Sequence, residues 1–160
     1  MIVINTDSAI EPFNPNGILT WAFIAKKGGQ VIHQDTKIIG WGKGMTNNRG
    51  EMAAVVAAML WLIKLPKEKQ MQALIQSDSQ LIVNQCKGVY QCHDEILLPM
   101  KHLIDKAKIR YSRDIIFRWI PREKNTEADA LSRSLYTEKA LQLMKSRKLD
   151  ILFDGDDITF

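Results

Sequence analysis

Residues 52–63, MAAVVAAMLWLI, are apolar on nearly every side of the helix that the sequence predicts over residues 49–64. A helix with no polar face cannot sit on a surface, so this one must be deeply buried. The run is also shorter than the roughly 18 or more residues that span a bilayer, which points to a protein core rather than a membrane. The cover it needs is a sheet on which it lies flat, and the sequence before it supplies one. Residues 2–6 read as a buried strand, and 17–25 and 30–39 as two more joined by the hairpin signal Lys27-Gly28-Gly29-Gln30.

After the buried helix, residues 72–77 read as a short strand, 79–87 as a helix, and 97–111 as a second helix with Pro99 in its first turn. Residues 115–120 form the last expected strand, ended by Pro121, and 125–135 and 137–147 read as helices before a short terminal segment. Three antiparallel strands followed by crossovers imply an α/β fold: a mixed five-stranded sheet with helices on both faces. The chain has 160 residues and 46% hydrophobic content, enough for one compact domain, expected over residues 1–147, with 148–160 as an acidic tail.

The N-terminus lacks the basic-then-apolar pattern of a signal peptide, so the expected setting is the cytoplasm, with no membrane association. Cys86 and Cys92 are too few for a disulfide framework. Together with His93 and His102 they match no common zinc-finger spacing, and two ordinary thiols are the plainer reading. The net charge of +4 includes four aspartates after Lys148, so residues 1–149 carry +8. A basic body suggests a polyanionic partner, although many basic faces are merely solvated.

Four acids, Asp7, Glu51, Asp78 and Asp129, each fall where an expected strand ends or an expected helix begins. Each has a structural explanation when taken singly. Asn48-x-x-Glu51 and Thr126-x-x-Asp129 have capping-box spacing, Asp78 could cap the following helix, and Asp7 could close a strand in an Asx turn. Yet sheet ends and helix starts can converge on one edge of an α/β layer, where four carboxylates would bind a hard divalent cation through oxygen.

Sequence context favours the second explanation. Thr6-Asp7-Ser8, Thr46-Asn47-Asn48-Arg49-Gly50-Glu51, Ser77-Asp78-Ser79-Gln80 and Pro121-Arg122-Glu123-Lys124-Asn125-Thr126-Glu127-Ala128-Asp129 closely resemble, in order, the four motifs of type 1 ribonuclease H, over about residues 1–135. The resemblance implies the ribonuclease H-like fold and hydrolysis of the RNA strand of RNA–DNA hybrids, leaving 3′-hydroxyl and 5′-phosphate ends. It implies two Mg²⁺ ions, with Mn²⁺ as the alternative. Asp7 would bridge both ions, Glu51 and Asp78 would hold one, and Asp129 would complete the other.

By the same resemblance, Asn47, Asn48 and Gln80 would read the minor groove of the hybrid, where 2′-hydroxyls mark the RNA strand. Asn14 and Thr46 would help hold a phosphate of the DNA strand, and Arg122 and Asn125 complete the expected substrate contacts. Asn47 and Asn48 also have a plainer reading, as the end of a loop and the cap of a helix.

The chain departs from the family in three places. No histidine precedes the fourth acid, so Arg122 or Glu123 is the expected substitute, and His33, His93 and His102 receive no catalytic role. Ser8 stands where the family usually has glycine, beside an unusual loop, AIEPFNPN. Between Lys87 and Asp94 there is no room for the basic, Trp-containing protrusion of some members, which predicts weak, salt-sensitive affinity.

The last six residues resemble the acidic tip of bacterial single-stranded-DNA-binding proteins, with Gly155 interrupting the acidic run and Thr159 in place of proline. In that reading Asp156, Asp157, Ile158 and Phe160 bind replication or repair proteins, the ring entering an apolar pocket and the aspartates steering the approach. An idle tail, a segment packed on the domain, and a tip folded onto the chain's own basic surface are the alternatives. The combined reading is a monomeric hybrid-cutting endoribonuclease. The runner-up is a weakly active or non-catalytic adaptor that binds hybrid and recruits partners through its tip. A DNA-cutting transposase or an exonuclease fits worse, because Asn47, Asn48 and Gln80 match the hybrid-reading set.

Overall fold

The computed structural model of the chain describes residues 1–138, 141 and 142. Strands β1 (Ile2–Glu11), β2 (Ile18–Lys27) and β3 (Gln30–Trp41) form an antiparallel meander, and β4 (Ala73–Ser77) and β5 (Ile115–Trp119) add parallel to it, in the order β3-β2-β1-β4-β5. The β2–β3 hairpin turns on Gly28 and Gly29, whose φ angles of 57° and 79° suit a residue without a Cβ.

The all-apolar helix α1 (Asn47–Lys64) is covered as its sequence requires. Its Met52, Val55, Met59 and Leu62 share one core with Ile2 and Ile4 of β1 and with Leu19, Trp21 and Phe23 of β2. Helix α3 (Leu97–Arg110) contributes Met100, Ile104 and Ala107 to the same core, and Pro99 lies in its first turn as expected. Burying each such large apolar side chain contributes about 1.5–3 kcal/mol. Helix α2 (Gln80–Lys87) follows β4 and adds Ile82, Val83 and Cys86.

The alternate residues of β2 point to the opposite face, where Ile18 and Ile38 pack with Leu135 and Tyr136. On that side the Thr20 hydroxyl donates to the Ser132 carbonyl at 2.6 Å and ties down α4 (Thr126–Arg133). The expected mixed sheet with helices on both faces is therefore present.

Most element boundaries lie within two residues of the sequence reading, and the first strand departs furthest from it. The first strand does not stop at Thr6 but runs to Glu11, because β2 pairs with it from Ile2↔Lys27 to Glu11↔Ile18. Asp7 thus lies inside a strand rather than at its end. Helix α4 is shorter than the expected 125–135. The expected helix 137–147 lies mostly, and the tail 148–160 wholly, outside the described residues. Among the described residues no helix is long and apolar enough to cross a membrane.

Candidate active site

What brings Asp7 to an edge is the end of its neighbour. Strand β4 pairs with β1 only as far as Asn5↔Gln76, so from Thr6 onward β1 continues past the carboxyl end of the parallel pair. A crevice opens there, as it does at the carboxyl ends of parallel strands generally. Asp78 follows the last residue of β4, and the Trp119 indole N–H holds its backbone by donating to its carbonyl at 3.1 Å.

Glu51 reaches the same point because the first turn of α1 crosses β1 very closely. A Cβ placed on Gly50 would lie 2.7 Å from Ser8 Cβ and 2.7 Å from Leu19 Cδ1, so only glycine permits this approach. Asp129 arrives on α4, which is docked to β1 by Asn125. The Asn125 amide donates to the Thr6 carbonyl at 2.9 Å and its oxygen accepts from Asn5 at 3.1 Å.

Ligand oxygens of Asp7, Glu51 and Asp78 all lie within 4.8 Å of one another. Asp129 lines the same cleft, of about 390 Å³, without joining that tight cluster. None of these acids caps a helix. Thr46 caps α1 by accepting the Arg49 N–H at 3.4 Å, and Ser79 caps α2 by accepting the Ile82 N–H at 3.3 Å. Helix α4 begins after Asn125 with no side-chain cap, so the expected Thr126–Asp129 capping box is absent.

Three carboxyls this close, two of them nearly sealed from water, resist ionisation together. Burial pushes the Asp7 carboxyl up to about 7, with Asp78 adding repulsion and the Ser8 N–H opposing it from 2.8 Å. Glu51 is raised well above the usual carboxylate range, by burial first and then by Asp7 and Asp78. Asp78 is raised by burial, with Arg122 opposing. Glu51 Oε2 is buried and has no hydrogen-bond partner. An all-oxygen donor set with an orphaned buried oxygen fits a hard divalent cation, which would supply the missing partner and the missing positive charge. Among the described residues, Cys86, Cys92, His93 and His102 form no comparable cluster.

Of the expected substrate contacts, Asn14, Asn47 and Arg122 line the cleft. Thr46, Asn48 and Gln80 are exposed but do not line it. Asn125 corrects the expectation: it is wholly buried, and both ends of its amide are engaged in joining β1 to α4. Asn48 is likewise not the cap of α1, a role taken by Thr46.

The sequence reading missed Arg133, which lines the cleft and bridges Asp129 (Nε to Oδ1, 3.2 Å) and Glu11 (Nη1 to Oε1, 2.8 Å). Its spacing of four from Asp129 on one helix was the available signal. It also missed the Ser8 hydroxyl, which meets Asn47 Oδ1 at 2.9 Å. None of the three histidines lines the cleft; His33 stacks on Trp61 with centroids 5.1 Å apart.

Comparison with known proteins agrees with this arrangement. The reverse transcriptase-like family model matches residues 5–135. Similar solved structures include LC11-RNase H1, isolated from compost by a metagenomic approach and solved in complex with an RNA/DNA hybrid. It is 28% identical, with a TM-score of 0.73, over 82% of this chain and 93% of that one. The N-terminal RNase H domain of Rv2228c from Mycobacterium tuberculosis is 22% identical (TM-score 0.72, 91% of this chain and 96% of that one). RNase H1 from Halobacterium salinarum is also 22% identical (TM-score 0.69, 81% and 92%). At that identity the last two speak for the fold alone. With its sheet order, its clustered acids and a family match over most of its length, the chain belongs to the reverse transcriptase-like family and is a ribonuclease H by fold and acid set.

Proposed function

We propose that the chain is an endoribonuclease that hydrolyses the RNA strand of RNA–DNA hybrids, leaving 3′-hydroxyl and 5′-phosphate ends, with two Mg²⁺ ions or Mn²⁺ in their place. The observation that carries this reading is the cluster of Asp7, Glu51 and Asp78, the first two buried and the third half-buried, which is costly as three bare acids and sensible as a cation cradle. LC11-RNase H1, solved with an RNA/DNA hybrid, supports the choice of substrate.

In this reading Asp7 would be shared by both cation positions, with Glu51 and Asp78 holding one ion and Asp129 completing the site of the other. Bound cations activate the attacking water and stabilise the leaving oxygen. The chain's own residues bind and orient. Asn47 presents its amide to the minor groove, with Asn48 and Gln80 flanking it, and Asn14 and Thr46 hold a phosphate of the DNA strand. Arg122, exposed at the cleft and electrostatically coupled to Asp78, stands where relatives carry a loop histidine and contacts the backbone near the cut.

The test is cleavage of an end-labelled hybrid beside duplex RNA, duplex DNA and single-stranded RNA, in Mg²⁺ and in Mn²⁺. Cutting is expected only in the hybrid's RNA, and Asp78→Asn, which keeps the shape and loses the charge, is expected to lower it at least about 100-fold while remaining folded. Near wild-type turnover by folded Asp78→Asn would sink the metal-site reading. Hybrid binding without cutting in either metal would favour the adaptor.

The acidic tip, Asp156, Asp157, Ile158 and Phe160, extends the proposal to recruitment of proteins that read single-stranded-DNA-binding tails. Its support is the sequence likeness alone. Deleting residues 156–160 should abolish such binding in a pull-down and leave hydrolysis of free hybrid unchanged. Higher activity of the truncated chain at low salt would instead mean that the tip docks on its own basic surface.

A further inference from the structure

Ser8 is buried, lines the cleft, and takes part in neither the acid cluster nor the expected substrate contacts, yet it touches both groups. Its backbone N–H donates to Asp7 Oδ1 at 2.8 Å. Its hydroxyl lies 2.9 Å from Asn47 Oδ1 and 3.3 Å from the Asn47 carbonyl, across 39 positions of sequence. The place it occupies is the one a Cβ on Gly50 would need, with Ser8 Cβ at 2.7 Å and Oγ at 3.0 Å from that point.

We propose that Ser8 is a positioning residue for substrate recognition: its hydroxyl fixes the Asn47 side chain, so that the amide nitrogen, with two donors, faces the groove. The inference rests on the hybrid-cutting reading of the site. Its chemistry is that of a primary amide. A hydroxyl donating to Oδ1 engages the acceptor end and leaves the two N–H donors for acceptors on the ligand, such as 2′-hydroxyl and minor-groove base oxygens. The orientation is set before substrate arrives, which lowers the ordering cost of binding. Where a glycine follows the first acid no such hydroxyl exists. In this chain Ser8 and Gly50 fit together, one supplying the side chain and the other the room for it.

The test is a double-mutant cycle of Ser8→Ala and Asn47→Ala, read in two ways. On hybrid substrate, Ser8→Ala should raise KM about 3- to 10-fold, the scale of one hydrogen bond, with kcat within about 2-fold. The same change in the Asn47→Ala background should do nothing further. In the free protein, nitrogen-15 relaxation of the Asn47 side-chain amide should show it ordered in the wild type and mobile in Ser8→Ala. A KM effect of Ser8→Ala that persists in full without the Asn47 side chain would overturn the proposal, as would an Asn47 amide whose order ignores Ser8. A wild type that fails to cut hybrid, but whose Asn47 amide is ordered through Ser8, would overturn the activity and leave the tether standing.

Discussion

The acid cluster should make the metal-free protein less stable than it could be, and Asp7→Asn measures by how much. Asp7 is 4% exposed, and its carboxyl sits at about 7 against an ordinary 3.8. A folded-state value above the unfolded one means that the folded chain binds more protons between those two pH values. Stability from this group is therefore full below about pH 4 and is lost as pH rises through about 7. Roughly three units at about 1.4 kcal/mol each give on the order of 4 kcal/mol, set against a total domain stability of about 5–15 kcal/mol.

Asparagine keeps the Oδ1 that accepts the Ser8 N–H, and replaces a repelling oxygen with a donor toward Glu51. The assay is urea unfolding in EDTA at several pH values from 4.5 to 8.5. The stability difference, variant minus wild type, should grow by about 1.4 kcal/mol per pH unit until near pH 7 and then level off. At pH 8 the variant should melt up to on the order of 10 °C higher. Mg²⁺ at about 100 times its Kd should return about 2.7 kcal/mol to the wild type and little to the variant. A difference that stays flat with pH, or a variant less stable than wild type at pH 8, refutes the claim that charge crowding dominates this site.

Two further substitutions probe how the acids are delivered. Arg133→Gln removes the bridge from Asp129 to Glu11; all three side chains are more than a third exposed, so stability should change by less than about 1 kcal/mol, while about 10-fold more Mn²⁺ should be needed for half-maximal activity. An unchanged Mn²⁺ titration would show that Asp129 does not depend on the bridge. Gly50→Ala gains up to about 1 kcal/mol of helix propensity but meets contacts at 2.7 Å, whose overpacking costs about 1–3 kcal/mol, so the net should be a loss of stability together with activity. Adding Ser8→Gly should recover part of both, and a fully stable Gly50→Ala would mean that α1 shifts freely on β1.

The architecture was legible because periodicity and turn chemistry agree over most of the chain. The all-apolar run could only be a covered helix, and Gly28-Gly29 could hardly be anything but a hairpin turn. The four acids were legible from their motifs, but their geometry was not. Which of them meet depends on the register Asn5↔Gln76, which leaves Asp7 beyond the end of β4, and no local pattern encodes a register between residues 71 positions apart. Asn125 was misread for a related reason. The resemblance put it among the substrate contacts, and only the packing of α4 on β1 shows it joining two elements.

The misreading of β1 has more to teach. Its expected end was Thr6, with Asp7 available to close it in an Asx turn, and a polar pair inside a buried strand breaks the usual pattern. In the fold both are buried, at 4% and 5% exposure. A third violation lies against them, since Gly50 puts the poorest helix former apart from proline into the first turn of a long helix. Each is unfavourable alone: a buried carboxyl, a strand residue with a buried hydroxyl, and a helix weakened at its start. Together they are mutually required. Gly50 makes room for Ser8, Ser8 holds Asp7 and Asn47, and the close approach that results delivers Glu51 to Asp7. Stability by itself would favour removing all three. Their coexistence at one point of the molecule is therefore physical evidence that the point is a functional site, independent of any likeness to a known family.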